Sequence, residues 1–200
     1  MAFEQRGKSG GSRKRSSGFS SSRGGSDESA DAKPAREKKP PTPERLEQRA
    51  RNVLLHQLAR SAKSTHQLRK ILEQREIPSE IAERVLVRFT EVGLIDDQAY
   101  AETIVNSRRN FKGLSKSAIK RELNEKGVPA PFIEQAIESI TAEDDLAAAQ
   151  ELAARRIRQM STLAKDVRER RLAGYLGRKG YPSSVVFAAI RFAESQLEFD

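Results

Sequence analysis

The sequence predicts an all-α protein, built as a tandem array of three three-helix repeats. Three observations point there. From Glu44 onward apolar residues recur at helical spacing, as in Leu46, Ala50, Val53, Leu54 and Leu58. No stretch shows the strict alternation of a strand, and valine and isoleucine stay scattered. The motif LNEKGVP at 123–129 returns as LGRKGYP at 176–182.

Aligning the chain on Pro78, Pro129 and Pro182 extends that echo into a repeat, at intervals of 51 and 53 residues. An apolar residue precedes each proline: Ile77, Val128, Tyr181. Leu72, Leu123 and Leu176 stand six positions before, and Leu68, Ile119 and Leu172 four before those. Ile81, Phe132 and Val185 follow three after, with Leu86, Ile137 and Ile190 at eight. A recurrence near 50 residues is the mark of stacked helical modules.

Each repeat reads as helix, helix, turn, helix. First helices are expected at 44–60, 97–110 and 143–160, and second helices at 65–76, 116–126 and 166–179. Third helices are expected at 79–92, 131–141 and 183–197. Ser64 and Ser115 suit the N-caps of second helices, and Ser64 with Gln67 makes a capping-box pattern. Gly127 and Gly180 suit left-handed helix ends, after which Val128 or Tyr181 folds back and proline stops the helix. The first repeat has Glu76 at that place. Gly93 followed by Leu94 reads as the same device. Tyr100, Leu123, Phe132, Leu172 and Leu176 are expected in the core. The predicted repeats occupy 44–95, 96–142 and 143–200.

Residues 1–43 read differently. KSGGSRKRSSGFSSSRGGS is rich in glycine, serine and cations and cannot bury enough apolar surface to offset its chain entropy. The segment is expected to be a disordered, basic Gly/Ser/Pro-rich tail. It holds ten Lys/Arg and five Asp/Glu, a net +5 of the chain's +9. RKR at 13–15 could touch phosphates, although a solubilising role suits such a tail as well.

The 200 residues include no cysteine, which excludes disulfides and thiolate metal sites and suits a reducing compartment. No apolar run reaches the ~20 residues of a membrane span, and the first residues lack the apolar centre of a secretory signal. A soluble, cytoplasmic protein without membrane association is expected.

Candidate chemistry is sparse. Asp96-Asp97 and Asp144-Asp145 could be paired carboxylates for acid–base or metal work. Both stand at helix starts, where carboxylates cap free N–H groups. His56 and His66 have no ligand spacing. GLSKS at 113–117 lacks the rest of a phosphate loop. No nucleophile–base arrangement stands out, so no enzyme activity, cofactor or metal is expected.

Cations are the informative feature. No acid lies between Thr103 and Arg121, a stretch that holds Arg108, Arg109, Lys112, Lys116, Lys120 and Arg121. Arg155, Arg156, Arg158 and Lys165 form a second run, followed by Arg168, Arg170, Arg171, Arg178 and Lys179 with only Glu169 interposed. Such runs are either solvated helix faces or a surface for phosphates or an acidic protein groove. KSAIKRELNEKGVPAPFIEQAI resembles a helix-turn-helix. Its second helix carries Glu134 and Glu138 and no cation, which disfavours groove reading.

GLIDDQAYAETIVNSRR at 93–109, RELNEKGV at 121–128 and FIEQAI at 132–137 resemble the bacterial RecX regulatory proteins, with the likeness extending over about 44–199. The resemblance implies an elongated, curved array of three-helix units. It implies a non-enzymatic modulator that lies in the groove of the RecA–DNA filament and inhibits ATP hydrolysis and strand exchange; a monomer is expected. It implies roles in recombination, DNA repair and the SOS response. The charge argument nominates Arg108, Arg109, Lys112, Lys116, Lys120, Arg121, Arg155, Arg156, Arg158, Arg168, Arg171, Arg178 and Lys179 for contact with RecA or DNA. Direct affinity for single- or double-stranded DNA would be weak and non-specific. The rival readings are a general DNA-binding protein acting without RecA, and a scaffold for another protein.

Overall fold

The structure, a computed structural model, describes residues 42–199. Residues 1–41, most of the expected disordered tail, lie outside the described residues, whereas Thr42 and Pro43 begin the first helix.

The described residues form nine α-helices and one π-helical turn, with no strand among them. These are α1 (Pro43–Leu58), α2 (Thr65–Gln74), α3 (Ser79–Glu91), α4 (Asp97–Ser107), α5 (Lys116–Glu125), α6 (Ala130–Ile137), α7 (Ala142–Arg158), α8 (Lys165–Arg178) and α9 (Ser183–Phe199). The π turn, Arg108–Lys112, continues α4. The helices group in threes around separate apolar cores. Leu54, Leu68, Leu72 and Leu86 centre the first, and Ile119, Leu123, Ile133 and Ile137 the second. Ile157, Leu172, Leu176 and Ile190 centre the third. Tyr100 is buried as expected, while Phe132 is only half-buried against the second core.

The recurring proline motif ends the second helix of every repeat in the same way. Val128 N–H donates to Leu123 O at 3.1 Å and Gly127 N–H to Asn124 O at 2.9 Å. Tyr181 and Gly180 make the matching bonds to Leu176 O and Gly177 O, and Ile77 and Glu76 to Leu72 O and Glu73 O. This is the Schellman arrangement, which needs one left-handed residue. Gly127, Gly180 and Glu76 all have positive φ, at 69°, 86° and 58°. Gly93 ends α3 with the same device: Leu94 N–H donates to Phe89 O at 2.9 Å and Gly93 N–H to Thr90 O at 3.0 Å, with Gly93 at φ 72°. Leu94 is exposed, and Ile95 enters the core in its place. At the start of α2, Ser64 and Gln67 form the expected capping box, and Ser115 caps α5.

The repeats are joined end to helix start. The left-handed turn closing α5 sits on the start of α2, and the turn closing α8 sits on the start of α5. Ser64 Oγ donates to Lys126 O at 2.6 Å; at the second junction Ser115 N–H donates to Lys179 O at 3.0 Å and Ser117 Oγ to Gly180 O at 2.8 Å. A Cβ on Gly127 would overlap the His66 ring, and one on Gly180 would lie 2.6 Å from Ala118 Cβ. The acid pairs divide their labour at these joints. Asp96 caps α4 and Asp144 belongs to the capping box of Thr141. Their neighbours face the preceding repeat: Thr65 N–H donates to Asp97 at 2.8 Å, and Lys116 N–H to Asp145 at 3.2 Å. α7 begins at Ala142, so Asp144-Asp145 lies within its first turns, unlike Asp96-Asp97 at the very start of α4.

Candidate functional site: a cationic cleft between the second and third repeats

The thirteen nominated cations separate into those engaged in the fold and those facing solvent. Arg108 grips Glu122 of α5 through two guanidinium nitrogens, at 2.6 and 2.8 Å. The hydrogen bond from Arg108 is the main cause holding the Glu122 carboxyl below its ordinary value, opposed by burial. Arg109 pairs with Asp145 across the junction. Lys116 Nζ donates to Ile140 O at 2.7 Å. Arg168 meets Glu194 of α9 in the most buried pair, at 2.5 Å. Lys120 pairs with Glu134 on the surface at 2.6 Å. Lys112, Arg121, Arg155, Arg156, Arg158, Arg171 and Arg178 are exposed.

Part of this set converges. A cleft of about 640 Å³ opens where the π turn meets α7 and α8, and Arg109, Lys112, Arg155, Arg156 and Lys179 line it, with Glu151 as its one acid. Local structure builds each wall. The π turn widens the backbone after α4 and ends on Gly113 in the left-handed region, at φ 58°. That turn displays Asn110, Phe111 and Lys112 towards solvent rather than returning them to the core. Gly113 lies close over α7, since a Cβ there would come 2.9 Å from Leu152 Cδ1. Tyr181 braces the floor by donating its hydroxyl to Gly113 O at 3.2 Å, and burial pushes that phenol up to about 12. On the α8 wall the Tyr175 ring lies beneath two cations, Lys179 Nζ at 5.1 Å and the Arg156 guanidinium at 5.9 Å. Lys179 Nζ also donates to Lys112 O, tying α8 to the π turn.

Charge counting missed the aromatic members. Phe111 is 87% exposed at the cleft, with Tyr175 on the opposite wall. The available signal was a phenylalanine interleaved with cations in RRNFK, a pattern that suits contact with nucleic acid. The first junction has a cleft of its own, about 560 Å³ in volume, lined instead by apolar groups including Leu55, Leu58, Leu94 and Ala99. Among the described residues there is no group of three or more acids and histidines arranged to hold a metal ion. No helix among them is long and apolar enough to cross a membrane.

Comparison with known proteins places this architecture. Three family models match in order: the first three-helix domain of RecX over 50–89, the second over 96–137 and the third over 143–190. The regulatory protein RecX of Streptomyces coelicolor is 43% identical over 157 residues, covering 78% of this chain and 83% of the relative. The chain belongs to the RecX family. Its relatives include the regulatory protein RecX of Mycolicibacterium smegmatis, 37% identical over 152 residues, with 74% of this chain and 81% of the relative covered. The crystal structure of RecX from Lactobacillus salivarius superposes with a TM-score of 0.65 at 19% identity, covering 75% of this chain and 97% of that one. That likeness supports the fold. A second RecX crystal structure gives a TM-score of 0.61 at 26% identity, covering 72% of this chain and 70% of that one. The tandem three-helix architecture is thus the RecX architecture, and the relatives are named as regulatory proteins.

Proposed function

We propose that this RecX-family chain regulates RecA in the cytoplasm as a non-enzymatic monomer. It binds in the groove of the RecA–DNA filament and inhibits ATP hydrolysis and strand exchange, and so restrains recombination, repair and SOS signalling. The observation that carries the reading is the cationic cleft at the second junction. A filament groove presents DNA phosphates and carboxylates, and a joined row of helical repeats can offer it several contacts at once. Arg155, Arg156, Lys112 and Lys179, with the exposed Arg121, Arg158, Arg171 and Arg178, are the contact residues of this reading. Arg108, Arg109, Lys116 and Arg168 contribute chiefly by holding helices and junctions in place, because their charge is already committed within the fold.

The test is DNA-dependent ATP hydrolysis by the cognate RecA, with the full chain titrated in while DNA is saturated with RecA. Inhibition well below one molecule per RecA is expected. The double variant Arg155→Glu/Arg156→Glu should need at least ~10-fold more protein for the same effect, since both charges are reversed at one contact. Its helical circular dichroism should be unchanged. No inhibition by the natural chain, even in excess, would overturn the reading.

A further inference from the structure

We infer that the cleft between the second and third repeats is a single-strand nucleic-acid site, which stacks an unpaired base on Phe111 and holds the adjoining backbone phosphate on Arg155, Arg156 and Lys179. This deepens the reading of the cleft as the filament contact by naming what it grips there.

Four features converge on that ligand. Phe111 is 87% exposed, and the π turn holds it outside the apolar core of its own repeat. An aromatic ring left in water between Asn110 and Lys112 offers a flat apolar face beside positive charge. That is the pairing used by proteins that bind single strands without regard to sequence. The facing wall repeats the combination, with Tyr175 beneath the Arg156 and Lys179 cations. The cleft volume, about 640 Å³, lies in the range that holds small organic groups, ~300–1000 Å³. The lining balance favours an anion: with Arg109 committed to Asp145, four cations, Lys112, Arg155, Arg156 and Lys179, face Glu151, which lies 3.6 Å from Arg155. A duplex keeps its base faces stacked on one another and can offer Phe111 only edges and backbone. An unpaired strand offers faces and phosphates together.

The chain contains no tryptophan, so Phe111→Trp installs a unique reporter at the proposed stacking face. In the absence of RecA, a labelled thymidine oligonucleotide is titrated with the full chain and followed by anisotropy. An abasic strand of equal length and a duplex are run beside it. The natural chain should bind the thymidine strand at least ~5-fold more tightly than the abasic one, the lower end of what one stacked base supplies. Phe111→Ala should remove that difference and leave abasic binding unchanged. The Phe111→Trp emission should be quenched by the thymidine strand and not by the abasic one. Arg155→Glu/Arg156→Glu should weaken both strands and flatten the salt dependence. Equal affinity for the two single strands, or tighter binding to duplex, would overturn the inference, as would no binding at all. So would a Phe111→Ala protein that keeps its strand preference but loses inhibition of RecA. That last result would make Phe111 a protein contact and leave the RecA reading standing.

Discussion

Glu76 occupies a backbone conformation that its own sequence motif elsewhere gives to glycine. With φ at 58° its Cβ crowds the following carbonyl, a penalty of roughly 1–2 kcal/mol for an L residue. Gly127 and Gly180 stand at the equivalent places and answer a second demand, because each turn lies against the start of a helix in the preceding repeat. Glu76 ends the second helix of the first repeat and meets no preceding repeat among the described residues, so only the dihedral requirement acts on it there. Glu76→Gly should therefore stabilise the chain, by about 0.5–1 kcal/mol after glycine's larger unfolded-state entropy is subtracted. Urea denaturation measures it, and a lower midpoint would contradict the strain. The left-handed turns were legible in the sequence, since the cap chemistry is local. The close approach was not, because His66 and Ala118 lie some 60 residues from the glycines they meet. For the same reason the second acid of each pair looked like a cap, when Asp97 and Asp145 in fact hold the neighbouring repeat.

At the scale of elements, the apolar pattern predicted which helices exist and which faces they bury, because that pattern is written within each helix. Their ends were less legible. α6 stops at Ile137, and α4 opens into a π turn that the residue pattern does not announce. The cation runs were legible as runs, but the partners that absorb them were not. Arg108 meets Glu122 from 14 residues away, Arg168 meets Glu194 from 26, and Arg109 meets Asp145 from 36. The Arg108–Glu122 pair joins the π turn to α5 and has a pH signature. Its hydrogen bond, and then the charges of Arg108, Lys126 and Lys112, hold the Glu122 carboxyl below its ordinary 4.5, against the opposing effect of burial. A depressed carboxylate contributes its stability above that ordinary value and loses it as pH falls through the folded value. Glu122→Gln should thus cost about 1.5–3 kcal/mol near neutral pH, the range of a hydrogen bond to a charged group. The difference from the natural chain should shrink steadily below pH 4.5. Thermal unfolding across that range measures it, and a cost independent of pH would mean that the carboxylate charge plays no part.

In the whole molecule, three small apolar cores are linked by junctions made largely of hydrogen bonds and two closely packed glycine turns. None of the cores is large enough to be robust alone, so coupling through the junctions decides whether the repeats melt together or in turn. The same junction geometry opens an apolar cleft at one joint and a cationic, aromatic cleft at the other. The linings thus differ while the joint itself is kept. Gly127→Ala with Gly180→Ala attacks the joint and, with it, the local caps of α5 and α8. Each alanine is strained at positive φ, by about 1 kcal/mol or more, and each adds a methyl group where the neighbouring helix start leaves no room. The natural chain should unfold in urea as one transition, with the slope of a single cooperative unit. The double variant should unfold at lower urea over a broader range, its slope reduced because each repeat then exposes its surface separately. Glu76→Gly, which lies at neither junction, is the control and should move the midpoint at constant slope. If the double variant also keeps its slope, the repeats are coupled by something other than these two turns. The Asp97 and Asp145 clamps, which hold the same helix starts, would then be the next joints to cut.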